Sequence, residues 1–105
     1  MPSILITPAA EKDLIGIWVY VAQNNEKAAN RIYKAAEETF KLLAHSPGIG
    51  TPYHPRRTQL KGVRFFPINK FHRYLIYYRK QPDGIEIIRV LHAQMEKYKH
   101  LKPGS

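Results

Sequence analysis

Arginine and histidine recur through the second half of this chain in the company of aromatic rings: Arg64, Arg73, Arg79, Arg89 and His92 stand among Phe65, Phe66, Tyr74, Tyr77 and Tyr78. A guanidinium grips phosphate or carboxylate in forked geometry and a ring face stacks on a base, so the mixture suits a single nucleic-acid strand or another polyanion. It also has a plainer use. Strand aromatics fill cores, and arginines between them lay their stems on the rings and send their heads to water. Other chemistries find less support. The histidines His45, His54, His72, His92 and His100 show no tight metal-ligand pairing. No Gly-rich phosphate loop follows the first apolar run, and no nucleophile elbow occurs. The absence of cysteine removes thiol nucleophiles, thiolate metal sites and disulfides together, and makes a reducing cytoplasm the expected compartment. Neither a metal nor a cofactor is expected.

These residues must be held by a small body. A chain of 105 residues supports one domain, 1–105, with one modest core. Its apolar run from Leu14 to Ala22 is too short to span a bilayer and follows Glu11, Lys12 and Asp13, so no membrane segment is expected. Charge is unevenly spread. Residues 1–53 hold five Lys/Arg and five Asp/Glu, residues 54–105 hold twelve and three, and the whole formal excess of +9 lies in the second half. A one-sided field of this kind raises the encounter rate with a polyanion or an acidic protein. It also serves plain solubility.

Periodicity supplies the elements. "SILIT", Ser3 to Thr7, is a short β-rich run, and Thr7-Pro8 reads as a helix cap followed by proline at the first helical position. Ala10, Leu14, Ile17, Trp18 and Val21 then form one apolar stripe, with Trp18 expected where the helices meet the sheet. Asn25 can cap a second helix with a stripe of Ala29, Ile32, Ala36, Phe40 and Leu43, ending before Ser46-Pro47-Gly48. The short connection predicts an αα-hairpin. From Pro47 to Lys61 runs a long proline-, glycine- and arginine-rich loop. Gly62–Ile68, Phe71–Arg79 and Gly84–His92 read as three strands of an antiparallel meander, turning at Asn69-Lys70 and at Gln81 to Gly84. On the last strand, strict alternation sets Ile85, Ile87, Arg89 and Leu91 against Glu86, Ile88, Val90 and His92. Both sets are largely apolar, as in a central strand, and the tail residues Met95 and Tyr98 are expected to dock on its second face. The fold class is α+β, in the order β-α-α-β-β-β.

That order, with "DLIGIWVYVAQ", "AANRIYKAAEETFKLLAHSPGIG", "GVRFFPI", "YLIYYR" and "IEIIRVLH", resembles the ParE/RelE toxin superfamily over most of the chain. The likeness leans to the ParE-like branch, the plasmid stabilisation toxins. It rests most on Gly62-x-Arg64, the strand Tyr74 to Arg79, and Arg89-Val90-Leu91-His92. It implies a helical hairpin on an antiparallel sheet, an acidic antitoxin (ParD-like) that wraps the toxin, and one of two targets. ParE-like toxins poison DNA gyrase, whereas RelE-like relatives cleave mRNA on the ribosome.

Metal-free cleavage through a 2′-hydroxyl needs a proton-transfer group and cations that stabilise the phosphate transition state. The paired strand lysines of RelE-like enzymes align with Phe65 and Pro67 here, and the arginine of the next strand with Tyr74. None of the three carries charge. The final-strand basic position aligns with His92 and the tail tyrosine with Tyr98, so this pair alone keeps a ribonuclease alternative open. The resemblance therefore implies a gyrase inhibitor acting by binding, with no catalytic residues expected. Its expected target-binding residues are Arg64, Arg73, Arg89, His92, Lys97, Tyr98, Lys99 and Lys102. A basic nucleic-acid-binding adaptor is a second alternative, although no helix-turn-helix or RRM signature accompanies the charge.

Overall fold

In a computed structural model, residues 2–53 and 61–94 are described. The polypeptide enters as strand β1 (Ser3–Ile6) and turns directly into helix α1 (Pro8–Ala22). Thr7 starts that helix: its hydroxyl oxygen accepts from the Ala10 N–H at 3.1 Å, and Pro8 follows where a missing N–H costs nothing. Asn25 repeats the device, accepting from the Ala28 N–H at 3.0 Å to start α2 (Glu26–His45). The predicted α2 stripe of Ala29, Ile32, Ala36, Phe40 and Leu43 is buried in full. On α1, Ala10 and Leu14 are buried, and Ile17 and Val21 pack partly against the core.

Trp18 departs from its expected place. Instead of reaching the junction with the sheet, it lies half-buried on the outer seam of the hairpin beside Ile15, Asn30 and Tyr33, and its indole N–H donates to Asn30 Oδ1 at 2.8 Å. Position 18 sits at the margin of the stripe, and the polar tip of an indole is most cheaply satisfied near water.

Strands β3 (Val63–Ile68), β4 (Phe71–Gln81) and β5 (Gly84–His92) form the predicted antiparallel meander. Two additions make a five-stranded mixed sheet of order β1-β5-β4-β3-β2. β1 pairs parallel with β5, and a two-residue β2 (Thr51–Pro52), drawn from the long loop, pairs with β3. Gly84 permits the first pairing. A Cβ there would stand 1.9 Å from the Ser3 carbonyl oxygen and 2.5 Å from its nitrogen, so only glycine lets β1 lie this close. At the other end of the meander, Thr39 of α2 holds the β3–β4 turn by accepting from the Asn69 N–H at 3.1 Å. Lys70 completes that turn with φ 72°.

The strict alternation expected on β5 fails halfway. Tyr78 pairs with Ile87 and Tyr77 with Arg89, leaving Ile88 as an extra residue. Such a bulge reverses the facing of everything after it. Ile85, Ile87 and Val90 therefore join the core under the helices, with Ile76, Tyr78, Ile68 and Phe40. Leu91 joins Val63 and Tyr77 in a second cluster on the far face, against Tyr53, Phe65, Leu75 and Ile88. Both faces of the meander are thus apolar, as a central strand demands. The expected docking of Met95 and Tyr98 lies outside the described residues.

Candidate functional site

β1 is shorter than β5, so the edge of β5 beyond Ile87 has lost its strand partner. Helix α1 covers the gap. The Thr7 hydroxyl donates to the Ile88 carbonyl at 2.9 Å, and Asp13, nearly two turns into α1, accepts from the Val90 N–H at 3.0 Å. Asp13 also takes both arms of Arg89, Nε at 2.7 Å and Nη2 at 2.9 Å. One carboxylate thereby satisfies an orphan backbone donor and anchors a guanidinium, with side-chain exposures of only 13% and 21% for Asp13 and Arg89. The Asp13 hydrogen bonds hold the Arg89 proton even more tightly than usual, against the opposing effect of burial. Arg89 is a bound structural cation at the base of a surface feature.

That feature is an open groove of about 980 Å³. One wall is α1, through Lys12, Gly16 and Tyr20. The opposite wall comes from the ends of β4 and β5, through Arg73, Tyr74, His92 and Gln94. β4 swells here: Ile68 pairs with Phe71, yet its neighbour Pro67 pairs with Leu75, so His72, Arg73 and Tyr74 bow away from β3. Arg73 is exposed, and its carbonyl accepts from the Ala93 N–H. Tyr74 meets the His92 ring edge-on, with centroids 5.2 Å apart. His92 Nδ1 accepts from the Gln94 N–H at 3.1 Å, which assigns the ring proton of the neutral form to Nε2.

Of the residues expected to bind a target, the fold brings Arg73, Arg89 and His92 to one groove. Arg64 stands apart. Its Nη1 donates to the Gly50 carbonyl at 2.8 Å, while the Gly50 N–H donates to the Tyr78 hydroxyl at 2.9 Å and that hydroxyl donates to the Pro47 carbonyl at 2.7 Å. Arg64 is thus tied to the start of the long loop. Tyr78 beneath it has its pKa raised by burial, partly offset by the Gly50 bond and the nearby Arg64. Lys97, Tyr98, Lys99 and Lys102 lie outside the described residues, as does 54–60 of the loop. Sequence reasoning missed Asp13, Lys12, Gly16 and Tyr20. The last three share a four-residue spacing that was available as a signal, whereas Asp13 owes its importance to a strand 76 residues away. Among the described residues, no group of three or more His, Cys, Asp or Glu is placed to hold a metal ion, and no helix is long and apolar enough to cross a membrane.

Comparison with known proteins agrees with this architecture. The chain is similar to a chromosomal ParDE toxin-antitoxin system from P. aeruginosa at 22% identity and TM-score 0.68, covering 88% of this chain and 96% of that one. It is also similar to the YoeB-YefM complex from Staphylococcus aureus, at 25% identity and TM-score 0.54 over 88% of this chain and 97% of the other. A heterotetrameric YoeB-YefM assembly from the same organism matches at 25% identity and TM-score 0.52, covering 85% and 93%. No curated protein matches. Residues 4–97 match the model of the ParE toxin of the type II toxin-antitoxin system parDE. Two helices on a five-stranded mixed sheet, together with a family match over nearly the whole chain, show that this protein belongs to the ParE toxin family of type II toxin-antitoxin systems.

Proposed function

We propose that the protein arrests growth by binding DNA gyrase rather than by cutting RNA, and that an acidic antitoxin neutralises it. One observation carries the choice. The three strand positions where a RelE-like nuclease needs cations hold Phe65, packed 5.8 Å from Tyr77, Pro67, and Tyr74, turned edge-on to His92. Without charge there, the phosphorane-like transition state of 2′-hydroxyl attack lacks its main electrostatic support. The groove cations instead suit a bound surface. Arg73 makes direct contact, Arg89 and Arg64 hold the scaffold on which contact depends, and Lys97, Tyr98, Lys99 and Lys102 extend the surface. Arg64→Ala and Arg89→Ala should reduce toxicity along with folding stability, whereas Arg73→Ala should reduce toxicity alone.

The solved relatives named as ParDE and YoeB-YefM systems support an antitoxin partner. The net charge of +9 favours an acidic segment that folds on contact, steered by charge and held by apolar anchors. The same reading sets the protein at work in the cytoplasm as a single toxin domain. Induced expression with paired readouts of DNA supercoiling and of ribosome-bound transcripts tests it. Expected are loss of supercoiling, stabilised DNA breaks and intact message, relieved by a co-expressed acidic partner. Reproducible cleavage at the decoding position, lost in His92→Ala, would transfer the protein to the ribonucleases, with His92 and Tyr98 as the proton-transfer pair.

A further inference from the structure

We propose that the groove between α1 and the ends of β4 and β5 binds a nucleoside phosphate, either free or as a unit of a single strand. The inference uses the groove whose Arg73 the gyrase reading assigns to target contact, and its test reads nucleotide binding in the absence of gyrase. Charge is its first support: among the described residues, Lys12, Arg73 and Arg89 line the groove against one carboxylate, Asp13, which is already engaged. An anion entering the groove therefore meets a net positive wall without displacing the Asp13–Arg89 pair.

Ring placement is the second support. Tyr20 is 70% exposed among the described residues, which leaves its ring accessible, and it shares the groove with the Tyr74–His92 ring pair. Cations beside accessible ring faces are the two components by which proteins hold single nucleotides, phosphate on the charge and base on the ring. A peptide of acidic residues alone would use the cations and leave the Tyr20 face unmatched.

Spacing is the third. Lys12, Gly16 and Tyr20 lie on one row of α1, so the backbone positions that carry cation and ring stand roughly 12 Å apart at about 1.5 Å of rise per residue. A nucleotide's phosphate lies closer than this to its own base, and the reach of the Lys12 side chain and the stacking gap over the Tyr20 ring make up the difference. Between them Gly16 leaves a notch: among the described residues, a Cβ there would meet nothing within 4 Å. Glycine inside a helix weakens it, and here it opens the groove wall to a ligand.

This notch makes the test clean, because Gly16→Leu adds a good helix former in open space while filling the groove. Backbone amide resonances of the full chain would be followed during titration with AMP, adenosine, inorganic phosphate, short oligothymidylate, short oligouridylate and an oligoglutamate peptide. AMP should shift Gly16, Tyr20, Arg73 and His92, binding at least about tenfold more tightly than adenosine or phosphate alone. Gly16→Leu should abolish those shifts while retaining the wild-type spectrum elsewhere. An oligonucleotide that binds more tightly than AMP assigns the strand as source, and equal affinity assigns the free nucleotide. For the strand, Arg73→Gln should lower the salt slope by about 0.7. Absence of groove shifts at saturating AMP, unchanged binding in Gly16→Leu, or tighter occupation by oligoglutamate would each overturn the assignment, the last in favour of an acidic protein segment.

Discussion

Removing the Asp13 carboxylate should unfasten helix α1 from the sheet, and the structure sets the magnitude. Asp13→Ala deletes the carboxylate that accepts from the Val90 N–H, on a residue just 1% exposed. An orphaned buried donor costs about 1–3 kcal/mol. It also breaks the bond to Arg89, whose side chain keeps 21% exposure and can turn to water in the groove. That loss falls between the roughly 0–1 kcal/mol of an exposed pair and the roughly 3–5 kcal/mol of breaking a buried one. Together the two effects predict about 3 kcal/mol, with a fall in Tm of roughly 4–8 °C for each kcal/mol in a chain of this size. Asp13→Asn keeps a carbonyl for Val90 and should lose only about 1 kcal/mol. Urea denaturation at constant m measures both. An alanine variant within about 0.5 kcal/mol of wild type, inside the range of an ordinary surface substitution, would refute the argument. So would an asparagine variant as damaged as alanine, since it would show that charge alone, and not the backbone bond, holds α1.

Three further outcomes follow from particular contacts. Gly84→Ala drives a Cβ into the Ser3 backbone, so β1 should detach at a cost of about 3 kcal/mol, seen as rapid hydrogen exchange of the β1 amides. Trp18→Ala should cost about 2 kcal/mol, below the roughly 3–5 kcal/mol of a fully buried ring, and a wild-type urea midpoint would show that the hairpin seam contributes nothing. The Tyr77 hydroxyl is buried with no hydrogen-bond partner among the described residues, and burial, then Tyr53, raises its pKa above the ordinary 10.0. Burial also raises Tyr53 and Tyr78. In each case the unfolded chain gives up its proton first, so the tyrosine contribution is fully present below about pH 10 and is lost as pH rises above it. Tyr77→Phe should leave stability at neutral pH within about 1 kcal/mol of wild type or above it and flatten the alkaline loss, which a pH series of thermal melts would record.

Much of this protein was legible in its residues because the physics involved is local. Thr7-Pro8 and Asn25 start helices through bonds three residues long, the α2 stripe follows from the helical turn, and the strand limits at Phe71 and Gly84 follow from adjacent turn residues. Tyr77 and Tyr78 belonged to the core because two successive large rings on a central strand must fill both faces. What the tertiary structure alone decided depends on residues far apart in the chain. The parallel pairing of β1 with β5 needs Gly84 to admit Ser3, and the bulge at Ile88, which reassigns Val90 and Leu91, appears only when β5 is paired with Tyr77 and Tyr78. The separation of Arg64 from Arg73 and His92, and the capture of Arg89 by Asp13, follow from that pairing. Composition can count cations, but whether an arginine meets a partner or solvent depends on which backbone donors the sheet leaves unpaired, and that is settled only when distant strands come into register.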